Sequence, residues 1–222
     1  MRPSIMFSAV AAAILTMLAF SLYNPIITGM PVLDTTLTVV TTINNSCNLT
    51  LEEGWNLVSF PCITTDAPIL SYLGNYTSAI NSVWYYDATS SADPWKSYNP
   101  SLPGYAIQDL STLSRRSAYW INAKSRTDIL IVSELFTPTA YSLSRGWNLV
   151  GYPSTAAKLV NETFQALEPD YDYILSFNAS DIDTWKIYTW NSSLVSDQDL
   201  IYASPYGGYW IYMLSPKGYV IS

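Results

Sequence analysis

The chain carries 17 carboxylates and no histidine in 222 residues. That absence removes imidazole acid–base catalysis, Ser-His-Asp and Cys-His pairs, and most zinc and copper sites at once. Few residues with reactive potential remain. Glu52-Glu53 are adjacent carboxylates, but neighbours on a strand or turn point apart. Asp87 with Asp93, and Asn178 with Asp181 and Asp183, form two oxygen-rich loops ahead of a Trp-Lys pair. Such loops can bind calcium. Neither fits a standard calcium loop, and turn-forming Asp is the simpler reading. No glycine-rich phosphate loop, nucleophile elbow or cysteine–base pair occurs. Carboxylates brought together in space, as in a glycosidase, are the enzymatic route left open. The expectation is therefore a non-enzymatic protein with no catalytic, cofactor or metal residues.

Cys47 and Cys62 lie fifteen residues apart in sequence. In an oxidising compartment they read as one disulfide; the alternative is two buried thiols. Sequons of the Asn-x-Ser/Thr form start at Asn44, Asn48, Asn75, Asn161, Asn178 and Asn191. Together they point to a glycosylated surface.

Composition agrees with export. Hydrophobic residues are 49% and charged residues 12%, enough for a packed core and too apolar for disorder. A net charge of −7 argues against nucleic-acid binding. Arg2 precedes an apolar run from Ile5 to Leu18, and Ala19-Phe20-Ser21 supplies small residues where a signal peptidase reads. Residues 1–21 read as a cleaved signal peptide or, alternatively, an uncleaved membrane anchor, since the run to Tyr23 spans about 19 residues. A type IV pilin leader fits less well, because no Gly or Ala follows a basic pair. Either main reading places the rest of the chain outside the cytoplasm, touching a membrane only through this segment.

The chain is also a tandem duplication. GWNLVSFP at 54–61 returns as GWNLVGYP at 146–153. Trp95-Lys96-Ser97-Tyr98 matches Trp185-Lys186-Ile187-Tyr188, Asp109-Leu110 matches Asp199-Leu200, and Tyr119-Trp120-Ile121 matches Tyr209-Trp210-Ile211. The last three pairs share one offset, two residues shorter than that of the octapeptide. The organisation read from this is an extended segment over 22–47 with a Thr/Val-rich strand at 34–42, module 1 over 48–133, a linker over 134–139, and module 2 over 140–222.

Within each module, a polar–apolar strand (48–51, 140–143) leads to a turn at Gly54 or Gly146, where glycine tolerates positive φ. Trp-Asn-Leu-Val then forms a strand stopped by Pro61 or Pro153. A helix follows. Asp66 is its expected cap, with Ile69 and Leu73 on one face in the first copy, and Val160, Phe164 and Leu167 in the second. Further strands are expected at 83–86, 95–98, 118–123 and 129–132, and at 173–177, 185–188, 208–214 and 219–221. The fold class is mainly β (α+β): two small barrel- or sandwich-like modules of about six short strands and one short helix each.

The motif series Gly-Trp-Asn-Leu-Val-(Ser/Gly)-x-Pro, Trp-x-x-Tyr and Tyr-Trp-Ile resembles the repeat modules of archaeal and bacterial cell-surface and secreted, S-layer-like proteins. The resemblance covers nearly everything after residue 48. It implies an extracellular module, often in tandem or appended to larger surface proteins, and carries no catalytic residue set. The first copy departs from it at Ser117-Ala118, where the second has Gly207-Gly208.

Residues kept in both copies are most simply fold requirements. This covers Gly54, Trp55, Asn56, Trp95 and Trp120, and Gly146, Trp147, Asn148, Trp185 and Trp210. The six paired tryptophans are expected to be core or domain-defining residues, and the two asparagines are expected to brace a neighbouring backbone. Trp84 and Trp190 have no counterpart. They are the candidates for stacking on a sugar or anchoring a partner, with packing between modules as the alternative. The leading expectation is an adhesive or structural cell-surface protein whose partners are other surface proteins or itself. The runner-up is a carbohydrate-binding module, with a carboxylate-dependent glycosidase behind it. The strand at 34–42 could complete module 1 or be donated to a neighbouring subunit. Under donation, deleting 30–42 leaves a folded monomer that no longer assembles; an unchanged oligomer in sedimentation would refute it.

Overall fold

A computed structural model describes residues 45–63, 66–103, 105–133, 138–195 and 197–221. The signal or anchor over 1–21, the strand expected at 34–42, Asn44 and most of the 134–139 linker lie outside them.

Module 1 runs β1 (Asn45–Leu51), β2 (Gly54–Ser59), β3 (Ala67–Pro68), a helix (Ile69–Leu73), β4 (Ile80–Tyr86), β5 (Trp95–Tyr98), β6 (Thr112–Leu113), β7 (Ala118–Ala123) and β8 (Thr127–Ser133). Module 2 repeats the series as β9 (Thr139–Leu143), β10 (Gly146–Gly151), β11 (Lys158–Leu159), a helix (Val160–Phe164), β12 (Tyr171–Phe177), β13 (Trp185–Tyr188), β14 (Tyr202–Ala203), β15 (Gly208–Met213) and β16 (Lys217–Ile221). Each has one four-stranded antiparallel sheet, ordered β2-β7-β4-β5 or β10-β15-β12-β13. The first and last strands pair separately, β1 with β8 and β9 with β16. The fold is mainly β with two short helices, and among the described residues no sheet closes into a barrel. The two extra strands per module are two-residue ladders, too short to show as periodicity.

These ladders also change how the helices begin. Asp66 does not cap the first one. Pro68 holds the N-cap position and no side chain bonds there. Instead the Ile69 N–H donates to the Ser111 carbonyl at 2.9 Å, and the Val160 N–H to the Ile201 carbonyl at 2.9 Å. A backbone group from the adjoining ladder thus takes over the task of a capping side chain. The first helix ends at Leu73 with Gly74 as its C-cap, and a 3-10 turn follows to Ala79.

Alternation along the strands gives each sheet two faces. Val58, Val83 and Ile121 point into module 1 and join Phe60, Ile69 and Leu73 in its core. Phe164, Leu167, Ile174 and Ile211 do the same in module 2. In the strand ribbons, Leu49 opposite Ile129 becomes Tyr141 opposite Tyr219, and those two rings stack 4.9 Å apart.

The other faces meet each other. Leu57, Ala118 and Leu149 form a third buried cluster, flanked by Tyr86, Trp120, Phe177 and Trp210. Its hydrogen bonds are reciprocal. The Ser59 N–H donates to Tyr206 O at 2.7 Å, and the Gly151 N–H to Arg116 O at 2.8 Å. Val58 bridges Gly207 while Val150 bridges Ser117. Equivalent residues exchanging equivalent contacts are the mark of an isologous interface, here within one chain. Both modules belong to the compact unit Thr42–Ser222. Thr139, assigned to the linker from sequence, is instead buried in β9, where its hydroxyl meets the Arg115 guanidinium of module 1 at 2.6 Å.

At the centre of this interface the repeat breaks its own symmetry. A Cβ on Gly208 would lie 2.7 Å from the Ala118 Cβ, its equivalent across the interface. A Cβ on Gly151 would lie 2.9 Å from the Ser59 Cβ, again its equivalent, and 2.6 Å from Ser117 O. One member of each pair must therefore lack a side chain. These are the positions where GWNLVSFP differs from GWNLVGYP and Ser-Ala-Tyr-Trp-Ile from Gly-Gly-Tyr-Trp-Ile. Ser59 uses the room: its hydroxyl bonds Gly207 O at 2.8 Å and accepts from the Tyr152 N–H at 3.2 Å. Gly208→Ala should cost about 1–3 kcal/mol in denaturant unfolding through overpacking. Adding Ala118→Gly should recover the part of that loss due to the methyl–methyl contact, while the close approach to Leu57 Cγ at 2.8 Å remains.

Candidate functional site

The outer sheet faces touch at their centres and leave tryptophans along the margins. Trp55 on β2, Trp120 on β7, Trp84 on β4 and Trp95 on β5 form a row across module 1. With Phe177 from module 2 they line an open groove of about 520 Å³. The equivalent positions in module 2 are Trp147, Trp210, Leu175 and Trp185, which line a smaller groove of about 360 Å³ together with Trp95 and Trp120. The paired tryptophans are thus not in the module cores, as the duplication suggested. Trp55 and Trp185 are 46% exposed, Trp95 38% and Trp147 37%, while Trp120 and Trp210 are half-buried at the interface. Four of them couple the modules, whereas Trp55 and Trp147 pack on Trp120 and Trp210 of their own module. Trp95 meets Trp210 at 5.8 Å between ring centroids, and Trp185 meets Trp120 at 5.8 Å.

The rings do not lie in one plane. Trp55 and Trp120 are 6.3 Å apart at 85°, and Trp84 and Trp95 6.5 Å apart at 75°. Edge-to-face packing is the favoured arrangement of aromatic quadrupoles. Trp84 donates its indole N–H to Ser82 Oγ at 3.0 Å. No protein acceptor among the described residues takes the indole N–H of the six paired tryptophans.

Of the two unpaired tryptophans, only Trp84 belongs to this groove. Trp190 is partly exposed, but its indole N–H donates to Tyr171 O at 2.6 Å and pins its loop to the start of β12. The asparagines of the repeat each hold a turn. Asn56 accepts from the Glu52 N–H and donates to Glu52 O, both at 2.8 Å. Asn148 does the same with Ser144 at 2.9 and 2.7 Å. Each turn contains a glycine at positive φ, Gly54 at 92° and Gly146 at 90°, a conformation that penalises any Cβ.

The acidic loops have a cation of their own. Lys186 pairs with Asp181 at 3.4 Å, Asp183 at 3.6 Å and Asp199 at 3.2 Å. Lys96 pairs with Asp93 at 2.9 Å. No metal-ligating group of three or more such side chains occurs among the described residues. Asp109 and Asp199, visible in sequence only as a repeated Asp-Leu pair, have a structural task. They accept the outward N–H groups of Ser97 at 2.6 Å and Ile187 at 2.8 Å. Gln108 and Gln198 accept from the Asn99 and Thr189 N–H groups at 2.6 and 3.1 Å. These contacts close the free edges of β5 and β13.

Cys47 on β1 and Cys62 beyond β2 form a disulfide. Such a bond belongs to oxidising, extracellular-type surroundings. No helix among the described residues is long and apolar enough to cross a membrane. Asn48, Asn75, Asn161 and Asn178 are exposed, and Asn191 is half-buried.

The Lys186 cluster predicts a pH dependence. The hydrogen bond to Asp199 raises the Lys186 ammonium above its ordinary value. The Asp183 backbone N–H and then Lys186 hold Asp181 below the usual carboxylate range. Burial pushes Asp199 up, but the Ile187 N–H and Lys186 outweigh it and the net shift is down. Carboxylates lowered in the folded state stabilise it above their unfolded pKa, and that stability is lost as pH falls through the lowered values. Lys186→Met should therefore lower the melting temperature at neutral pH and flatten its fall on acidification. Superimposable melting profiles would contradict this.

Comparison of the chain with protein-family models, characterised proteins and solved structures returns no match.

Proposed function

We propose that this chain is a non-enzymatic adhesive or structural protein of the cell exterior, exported through its N-terminal segment and N-glycosylated. The reading rests chiefly on one observation: a rigid pair of β modules holds a row of tryptophans open to solvent. Large exposed aromatics on a fixed scaffold are costly unless they meet something, and they are enriched at recognition surfaces. The disulfide, the exposed sequon asparagines and the resemblance to S-layer-like repeat modules support an extracellular setting.

Strand donation by 34–42 would need an open acceptor edge. The edges of β5 and β13 are sealed by Gln108-Asp109 and Gln198-Asp199, so recognition through the tryptophan face is favoured over addition at those edges. Carbohydrate binding is the second reading, favoured by the exposed tryptophan faces. The steep ring angles do not form the flat platform on which a sugar chain stacks.

Protease shaving of intact cells, with mass analysis of the released peptides, tests the proposal. The expected result is a surface-accessible protein with glycan on Asn48, Asn75, Asn161 or Asn178. A cytoplasmic protein without glycan would overturn it.

A further inference from the structure

The two grooves are built from equivalent positions, yet they differ at one wall. Trp84 stands opposite Trp120 across β4 and β7, where module 2 has Leu175 opposite Trp210. At this one position module 1 has an indole where module 2 has an isobutyl group, so the first groove is lined by four tryptophans and Phe177 and the second by five tryptophans and Leu175. Module 2 folds around leucine at this place, so Trp84 is not required by the sheet itself.

We propose that the Trp84 groove binds a small soluble quaternary ammonium ligand through cation–π contact. This deepens the recognition reading above and rests on it for where the ligand is met.

The walls select this chemistry. Trp55, Trp84, Trp95, Trp120 and Phe177 line the groove, and neither a carboxylate nor a basic side chain is among them. A ligand entering it gives up water and receives almost no hydrogen bonds in return. A primary ammonium would leave its N–H donors unmatched against such walls, and a sugar ring its facing hydroxyls, both at a cost. A tetraalkylammonium has no donors to satisfy. It keeps its charge while presenting methyl groups that pack like hydrocarbon.

The ring geometry points the same way. Because the rings meet edge to face at 85° and 75°, the open groove offers indole surfaces in more than one orientation. Each indole face carries negative quadrupole potential, and cations gain from every face within about 6 Å. A pyranose chair gains chiefly from the one ring on which its C–H face stacks.

Charge adds to the selection. The chain carries a net −7, which favours cations at long range. The nearest lysines of the repeat, Lys96 and Lys186, are held by aspartates and line the polar clefts on the other sides of the interface. They do not place positive charge on the groove walls.

The volume of the groove, about 520 Å³, is of the size that holds a small ligand.

The test is titration of the full exported chain with tetramethylammonium and with choline, read by tryptophan fluorescence. The neutral isostere 3,3-dimethylbutan-1-ol and a linear oligosaccharide serve as comparisons. The expected result is saturable binding of both ammonium ions, at least tenfold weaker binding of the neutral isostere, and none of the sugar. Trp84→Leu should weaken ammonium binding at least tenfold with a near-native melting temperature, and Trp84→Phe should retain part of the affinity. Equal affinity for the neutral isostere, an unaffected Trp84→Leu variant, or sugar binding without ammonium binding would each overturn the proposal. None of these results depends on where the protein resides, so failure here is separable from failure of the extracellular reading.

Discussion

Two sheet faces approach so closely that equivalent residues cannot both carry a Cβ. Ala118 faces Gly208, and Ser59 faces Gly151. Around these contacts lie Leu57 and Leu149, both buried, each side chain contributing about 1.5–3 kcal/mol through burial. Reciprocal backbone bonds from Ser59 and Gly151 fix the register of the two modules. A perfectly symmetric repeat would clash with itself at its own centre. The duplication resolves this by making one copy small where the other is larger, so the two halves are no longer interchangeable.

The remaining surface features follow from that docking. Because contact is closest at Ala118 and Gly208, rings further out along the strands are only half covered. They pack edge to face with rings of the other module, as Trp95 does with Trp210 and Trp185 with Trp120. The same interface creates two polar clefts, one containing Lys96 and Asp109 and the other Lys186 and Asp199. The aspartates of these clefts also close the β5 and β13 edges of the two sheets.

Local features were legible where a short-range rule governs them. The strand alternation, the glycine turns and the buried helix faces of Ile69, Leu73, Val160 and Phe164 follow from nearest-neighbour geometry. The bracing role of Asn56 and Asn148 follows from the need to satisfy a polar group inside an apolar strand. The placement of the tryptophans is not legible in the repeat, because repetition marks a constraint without saying whether it acts within a copy or between copies. Asp66 was misjudged as a cap because the helix N-terminus is met by the Ser111 carbonyl, some forty residues away in sequence. The acidic loops each hold a lysine that the Trp-Lys repeat supplies, Lys96 beside Asp93 and Lys186 beside Asp181 and Asp183.

The sequence by itself determined the duplication, the β-rich modules, the cysteine pair and the positions of the turns, since each depends on residues close together in the chain or matched between copies. Only the tertiary structure decided which sheet faces meet, why Ser59 and Ala118 are replaced by glycines in the second copy, and that Trp84 lines a groove while Trp190 ties down its own loop. Those outcomes depend on distances between backbones far apart in sequence. At separations near 2.7 Å, a single methyl group decides whether two surfaces fit.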